Sequence, residues 1–421
     1  MWPKLTKRIR NAALGLFLCL CVSPLTEGTS VPGREDKLRV LDLGGTPYQM
    51  GLIHGTALKA EITELIKRWK ENLAGSYKST AEDFIRKFLN HTDFRPSIER
   101  WTPGLLDEVR GIADGAGVDF DTMFAFQLID EIWVMNEDLG RDKCTTIAAG
   151  KRGSFSAFTS QTQDIPGFYH GYPTVLRIRD QRENLETLVF TIPGVVALNG
   201  LNSRSVGVCV NAVPQLAYSP KGLPVAFVIR GILRQKTYEE AVKFLQDIPP
   251  AAPQNYALGG PLNAASFERS AGRMSRFLPF EGAEFTYHTN HPLINDDLNP
   301  RFSAMLERNG TSLTNFKNTC PRFNFLGRTL TDNSITIDLA LLKTLFANRV
   351  SGINNAGTYG CTIMILGEKP ELHISPGRPD VEPFRVLDFS SRNTGSPIEG
   401  PAGGPENQIA ASAQKMWPKL K

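Results

Sequence analysis

The first thirty residues set charge against apolar character. Lys4, Lys7, Arg8 and Arg10 precede a short apolar run at residues 12–22, and residues 23–30 are small and polar. The run is too short to cross a bilayer comfortably. This is the pattern of an export signal, so residues 1–30 are predicted to be a signal peptide, with an uncleaved N-terminal anchor as the other reading. Residues 31–38 read as a linker and 39–43 as a short strand. Thr46-Pro47 supplies an N-cap and a first-turn proline. The helix after it carries Ile62, Ile66, Trp69 and Leu73 on one stripe, with Gly75 as its expected end. Helical patterning continues over 81–89, 97–116 and 120–137, so the chain is predicted to be mostly helix up to Lys143.

The pattern changes at Cys144. Short β-type runs at 144–149, 155–162, 174–179, 187–192 and 206–212 are separated by Gly, Pro and charged turns. They are close enough in sequence to pair as antiparallel neighbours. A long apolar segment at 223–234 and a helix opened by a capping box at Thr237–Glu240 come next. Strand patterning returns at 263–268, 283–289 and 360–366. Strands, two helices and strands again predict sheets layered with helices. The division expected is a leader at 31–143, a second region at 144–390, and a tail at 391–421 whose Gly, Pro, Ser and Asn content predicts disorder.

Composition narrows the function classes. With 41% hydrophobic and 21% charged residues, the 421-residue chain has the make-up of a folded protein with a real core. The net charge of +4 is partly terminal, and a near-neutral body gives no reason to expect nucleic acid as a partner. Beyond the signal, Cys144, Cys209, Cys320 and Cys361 are far apart, without the spacing of a zinc site. An exported chain could pair two of them, and a reactive thiol stays unpaired.

A nucleophile needs a base. The six histidines, His54, His91, His170, His288, His291 and His373, sit in no triad signature, and no G-x-S-x-G element is present. Another solution is a residue freed at a new N-terminus, whose own α-amino group, with a pKa near ~8, serves as base. Cys144-Thr-Thr-Ile147 opens the first strand after a helical leader, and the polar segment 136–143 ahead of it could present the bond to be cut. A lone Cys opening an apolar strand is also the ordinary signature of a core thiol.

The motifs taken together resemble the acyl-coenzyme A:isopenicillin N acyltransferase-like family, within the choloylglycine hydrolase and penicillin acylase group. Gly45-Thr-Pro-Tyr-Gln-Met-Gly51 with His54-Gly55 is similar to its leader signature, and Cys144-Thr-Thr to its nucleophile box. Gln161-Thr-Gln-Asp164 resembles its Gln-x-x-Asp element. Residues 223–244 resemble its paired helices, His288-Thr-Asn290-His291 its Asn-His segment, and Gly377-Arg-Pro379 its closing turn. The resemblance spans roughly residues 38–390.

It implies an α+β fold, a four-layer αββα N-terminal-nucleophile hydrolase sandwich with a helical leader. It implies self-cleavage between Lys143 and Cys144, with the two resulting chains staying associated. The freed Cys144 would then attack an amide or acyl substrate, a small molecule, through a thioester, with no metal and no cofactor. Asp164 would orient the new α-amino group. Asn263 would help form the oxyanion hole, with Asn255 as its rival. Arg322 would lie near the site, and Gln161 would meet substrate. In the bile-salt branch an Arg stands at the Gln161 position, so Gln161 favours the acyltransferase-like branch. Lys143 departs from the small residue usual before the nucleophile, and Phe267-Glu-Arg-Ser replaces an Asp-Gly pair after Asn263. Outside the cell, where acyl-coenzyme A is scarce, hydrolysis is expected over transfer. Two other functions stay open: an acid-ceramidase-like lipid amidase, and an inactive secreted binding protein of the same fold.

Overall fold

Thr46 and Gln49 show how local sequence builds this structure. The Thr46 side chain accepts from the Gln49 backbone N–H, and the Gln49 side chain accepts from the Thr46 N–H. This reciprocal cap, with Pro47 in the first turn, starts a helix where the sequence predicts one. The computed structural model describes residues 37–135, 144–317, 319–332 and 334–390. The expected signal at 1–30, Lys143 with the segment before Cys144, and the tail at 391–421 lie outside the described residues.

The described residues open with β1 (Arg39–Gly44), followed by seven described helices: α1 (Pro47–Ala57), α2 (Lys59–Tyr77), α3 (Ala81–His91), α4 (Arg95–Trp101), α5 (Leu105–Ala116), α6 (Phe120–Phe126) and α7 (Ile129–Met135). Six strands follow: β2 (Thr145–Ala149), β3 (Phe158–Asp164), β4 (Thr174–Asp180), β5 (Leu185–Thr191), β6 (Asn199–Asn202) and β7 (Gly207–Ala212). Helices α8 (Val225–Leu233) and α9 (Tyr238–Asp247) precede β8 (Gln254–Gly259), β9 (Ala264–Arg269), β10 (Met274–Phe277) and β11 (Phe285–His288). Then come α10 (Pro300–Arg308), α11 (Leu313–Lys317), α12 (Pro321–Leu330) and α13 (Leu339–Ala347), and finally β12 (Thr358–Ile365), β13 (Glu371–Ser375) and β14 (Arg385–Asp388).

One sheet runs β1-β4-β5-β6-β7-β8-β9-β10 and the other β11-β2-β3-β12-β13-β14. They stack face to face: β2 and β3 of the second touch β7 and β8 of the first. Helices α8 and α9 cover the outer face of the first sheet. Helices α12 and α13 cover the second, sharing a core of Leu326, Leu342 and Phe346 with Ile147, Phe158 and Ile363. This is the expected four-layer αββα sandwich.

The predicted leader is part of that sandwich. Strand β1 pairs parallel with β4, from Arg39↔Thr174 to Gly44↔Arg179. Helices α1 and α5 pack backbone to backbone through Gly51, Gly55, Gly111 and Gly115. A Cβ at Gly51 would lie 1.9 Å from the Glu108 carbonyl oxygen, which is why the leader signature carries glycines there. Arg230 of α8 meets Glu108 of α5 in a buried two-pronged pair at 2.6 and 2.8 Å.

Some elements differ from expectation. Helix α2 passes Gly75, which faces open space, and ends at Lys78 in the left-handed region (φ 49°). Stacking of Tyr77 on Phe84, centroids 4.3 Å apart, holds its last turn. The predicted helix at 97–116 is two, broken at Pro103-Gly104 with Gly104 at φ 87°. Strands β6 and β8 were not expected, because Asn199-Gly-Leu-Asn202 and Gln254-Asn255 lack apolar alternation. Their polar side chains are nevertheless buried. Asn202, for example, donates to the carbonyls of Leu233 and Gln235.

Candidate active site

Strands β2 and β3 pair antiparallel, with Thr145 opposite Thr162. That register sets Cys144, one residue before β2, beside Asp164, the last residue of β3. The backbone N–H of Asp164 donates to Cys144 Sγ at 3.4 Å, and Sγ lies 3.7 Å from the Asp164 carbonyl oxygen. The thiol is buried. Burial, then the charge of Asp164, push its pKa up to about 12, outweighing the Asp164 N–H and the Gln161 side chain, which stabilise the thiolate. The sulfur is therefore a protonated thiol at neutral pH.

Asp164 is itself buried. Its Oδ2 accepts from Asn355 Nδ2 at 2.7 Å, while its Oδ1 has no hydrogen-bond partner. Burial pushes this carboxyl up to about 7, against the stabilising pull of Thr358, Asn355 and Arg322. A buried carboxylate oxygen without a donor is costly, and it marks a place where an N–H group would be welcome.

Arg322, in the first turn of α12, is engaged beside Cys144. Its Nη1 donates to the carbonyl oxygen of Cys144 at 2.7 Å and to Thr145 Oγ1 at 2.8 Å, and its Nη2 donates to Asn290 Oδ1 at 3.1 Å. Asn290 in turn donates to the Ala212 carbonyl at 3.0 Å. Three segments far apart in sequence thus converge on Cys144: the end of β3, the residues just after β11, and the start of α12.

Across the sandwich, Thr146 Oγ1 donates to Asn211 Oδ1 at 2.7 Å, and Asn255 Nδ2 donates to the same oxygen at 3.2 Å. Residues two apart on a strand share a face, about 7 Å apart. The buried Asn211–Asn255 pair therefore lies one step along β2 from the thiol. A cavity of about 20 Å³ adjoins Cys144, the room of roughly one water. Ile129, Trp133, Leu198 and Ile229 form apolar walls, and Asp130, Gln163 and Gln254 a polar side.

Two expected roles are corrected. Asn263 is exposed in the turn between β8 and β9. The neighbouring Leu262 carbonyl accepts from Lys151 N–H, so Asn263 stands beyond the far end of β2, about 20 Å of strand from Cys144. It cannot serve an oxyanion there, whereas Asn255 is buried on the side of Cys144. Gln161 is not available to substrate. Its amide donates to Gln163 Oε1 and the Val210 carbonyl, and its Oε1 accepts from Val210 N–H and Asn199. It stitches β3 to β7, and Gln163 is the glutamine that faces the cavity. Asn290, Asn355 and Thr145 were not expected at the site. Asn290 and Thr145 carried a sequence signal, in His288-Thr-Asn-His291 and Cys144-Thr-Thr, and Asn355 carried none.

No histidine bonds the Cys144 sulfur among the described hydrogen bonds. His54 of the leader signature is buried, accepts the Gly194 N–H at 3.0 Å, and is held near pKa 3 by burial and then by the charge of Arg230. Cys144, Cys209, Cys320 and Cys361 are all free thiols.

A sequence model of the acyl-coenzyme A:6-aminopenicillanic acid acyl-transferase family matches residues 178–338. The 40 kDa form of acyl-coenzyme A:6-aminopenicillanic-acid-acyltransferase from Emericella nidulans is 27% identical over 271 residues, which are 61% of this chain and 71% of that protein. Protein dcd1B of Dictyostelium discoideum is 22% identical over 241 residues, 51% of this chain and 46% of that protein. Among solved structures, the Caenorhabditis elegans N-acylethanolamine-hydrolyzing acid amidase ortholog is similar at 16% identity and a TM-score of 0.40, covering 53% of this chain and 92% of that one. The chain is thus similar to this acyltransferase family over residues 178–338.

Proposed function

We propose that this protein is a self-cleaving amide hydrolase or acyltransferase with Cys144 as its nucleophile. The observation that carries the reading is the pairing of the Cys144 thiol, which no histidine among the described residues bonds, with Asp164, whose buried Oδ1 has no hydrogen-bond partner. A free α-amino group on Cys144 would supply that donor and, at the same time, the missing base.

In the first step Sγ attacks the Lys143 carbonyl, the C–N bond breaks as the thiol proton passes to the Cys144 nitrogen, and the acyl group is left on sulfur as a thioester. Water hydrolyses this thioester, releasing the Lys143 carboxylate and the Cys144 amine. The amine then takes the thiol proton, and the thiolate attacks a substrate amide carbonyl. Asn255, by its buried amide, is suited to hold the developing oxyanion, a contribution of roughly 3–4 kcal/mol where such donors have been removed. The protonated leaving amine departs, leaving a thioester. Water then yields the acid, or a second amine takes the acyl group. Arg322, bound to the Cys144 carbonyl and Thr145, keeps the nucleophile's backbone fixed through both phases.

In the same reading residues 1–30 direct export, and hydrolysis outweighs transfer outside the cell. The two chains stay together, a view supported by the β1–β4 pairing and the Glu108–Arg230 ion pair. The test is the intact mass of purified protein. Two chains separated at Lys143–Cys144 are expected, and a single stable chain without amidase activity would refute the reading.

A further inference from the structure

We propose that Glu268 is a positioning residue for Arg322, and through it for Cys144; the inference rests on the self-cleaving reading above. Glu268 is on β9 and wholly buried. Its Oε1 accepts from His288 Nε2 at 2.8 Å and from the backbone N–H of Leu293. Its Oε2 accepts from the N–H groups of Ile294 at 3.0 Å and Asn295 at 2.7 Å. The Asn295 side chain donates back to the Glu268 carbonyl at 3.1 Å. Burial pushes the carboxyl pKa up, but His288 and these amides outweigh it and hold the group below its ordinary value.

One carboxylate therefore fastens both ends of the segment 288–295, at His288 and at 293–295. Between the two fastenings stands Asn290, whose Oδ1 receives Arg322 Nη2 at 3.1 Å. The other side of that guanidinium holds the Cys144 carbonyl and Thr145. Glu268 is not in contact with the thiol. Its effect is to set where Asn290 sits, and Asn290 is one of the acceptors that aim Arg322. If the segment came off Glu268, Arg322 would lose that acceptor and its hold on the Cys144 backbone would loosen.

A double-mutant cycle on the full chain tests this. Glu268→Gln, Arg322→Lys and the double variant are compared well below their melting temperatures. Two rates are read: conversion from one chain to two, and alkylation of Cys144 by iodoacetamide. Each single variant is expected to change both rates about tenfold, and the double variant to be no worse than Arg322→Lys alone, since residues acting through one another do not add. If Glu268→Gln lowers the melting temperature and leaves both rates unchanged, or if the two effects multiply, Glu268 is a packing residue and the proposal fails. If Glu268→Gln does not fold, Glu268→Asp, which keeps the charge but shortens its reach, enters the same cycle. Should a Cys144→Ala chain still be cut, the self-cleaving reading falls while the alkylation cycle still decides for or against Glu268.

Discussion

Nη1 of Arg322 lies 2.7 Å from the carbonyl oxygen of Cys144, a hydrogen bond between residues 178 positions apart. It holds the residue whose N-terminal bond is expected to be cut, from the side opposite that bond. A guanidinium offers donors in a fixed fork, which a lysine cannot replace. Arg322→Lys is therefore expected to slow conversion to two chains by about tenfold or more, the usual order for losing a charged hydrogen bond. The two-chain fraction over time, followed on a denaturing gel, checks this.

Cys144→Ala is expected to stay a single chain with no amidase activity. Cys144→Ser should cleave slowly, since a hydroxyl can make the acyl shift, and turn over poorly. Intact mass and an N-acyl amide assay read both. A Cys144→Ala protein cut at Lys143 would mean that an outside protease makes the break.

Asn255 and Asn263 are separated by one pair of substitutions. Asn255→Ala should lower kcat by about 10²–10³-fold, as expected for an oxyanion donor. Asn263→Ala, at an exposed turn, should leave kcat unchanged and stability within about 0.5 kcal/mol. The reverse result would restore Asn263 to the site.

Asp164 makes a prediction about pH. Its folded pKa, about 7, is raised above the ordinary 3.8, so the folded state holds a proton that the unfolded chain gives up. The stability this group contributes is full below about pH 4 and is lost as pH rises through 7, at no more than about 1.4 kcal/mol per pH unit. Cys144→Ala with Asp164→Asn should therefore lose less stability between pH 4.5 and 7.5 than Cys144→Ala alone. Urea melts of both uncut proteins across that range measure the difference, and identical slopes would show that Asp164 is already ionised.

The Glu108–Arg230 pair is almost fully buried on both sides. Arg230→Met alone leaves an unpaired buried carboxylate and should cost about 3–5 kcal/mol, while Glu108→Leu with Arg230→Met should cost much less. Denaturant melts of the single and double variants would show whether the charges or the packing hold α5 to α8.

Much of this architecture can be read from the sequence, because strong local signals and the final contacts agree. Thr46-Pro47 caps α1, and the Ile62–Leu73 stripe is buried. Gly51 and Gly55 stand in the leader signature because two helix backbones touch there. Cys144 and Asp164 lie 20 residues apart, and a single hairpin register joins them. What the sequence hides is saturation and register. Nothing in Gln161-Thr-Gln-Asp164 tells that Gln161 spends its amide on Val210 and Gln163. Likewise, Leu262-Asn-Ala-Ala reads equally well as strand or turn until Tyr256 is seen opposite Phe267. Strands β6 and β8 are missed for the same reason, since the partners of Asn202, Gln254 and Asn255 come from distant segments that meet only once the sandwich has closed.

The parallel pairing of β1 with β4 bears on how such a protein can be made. A chain begun at Cys144 would lack the strand that covers β4, and the row from Thr174 to Arg179 would become an open sheet edge, a template for aggregation. The leader would thus have to be in place before any cut is made. In the self-cleaving reading, synthesis as one chain lets residues 144–390 fold against their own leader, so folding would come first and scission second.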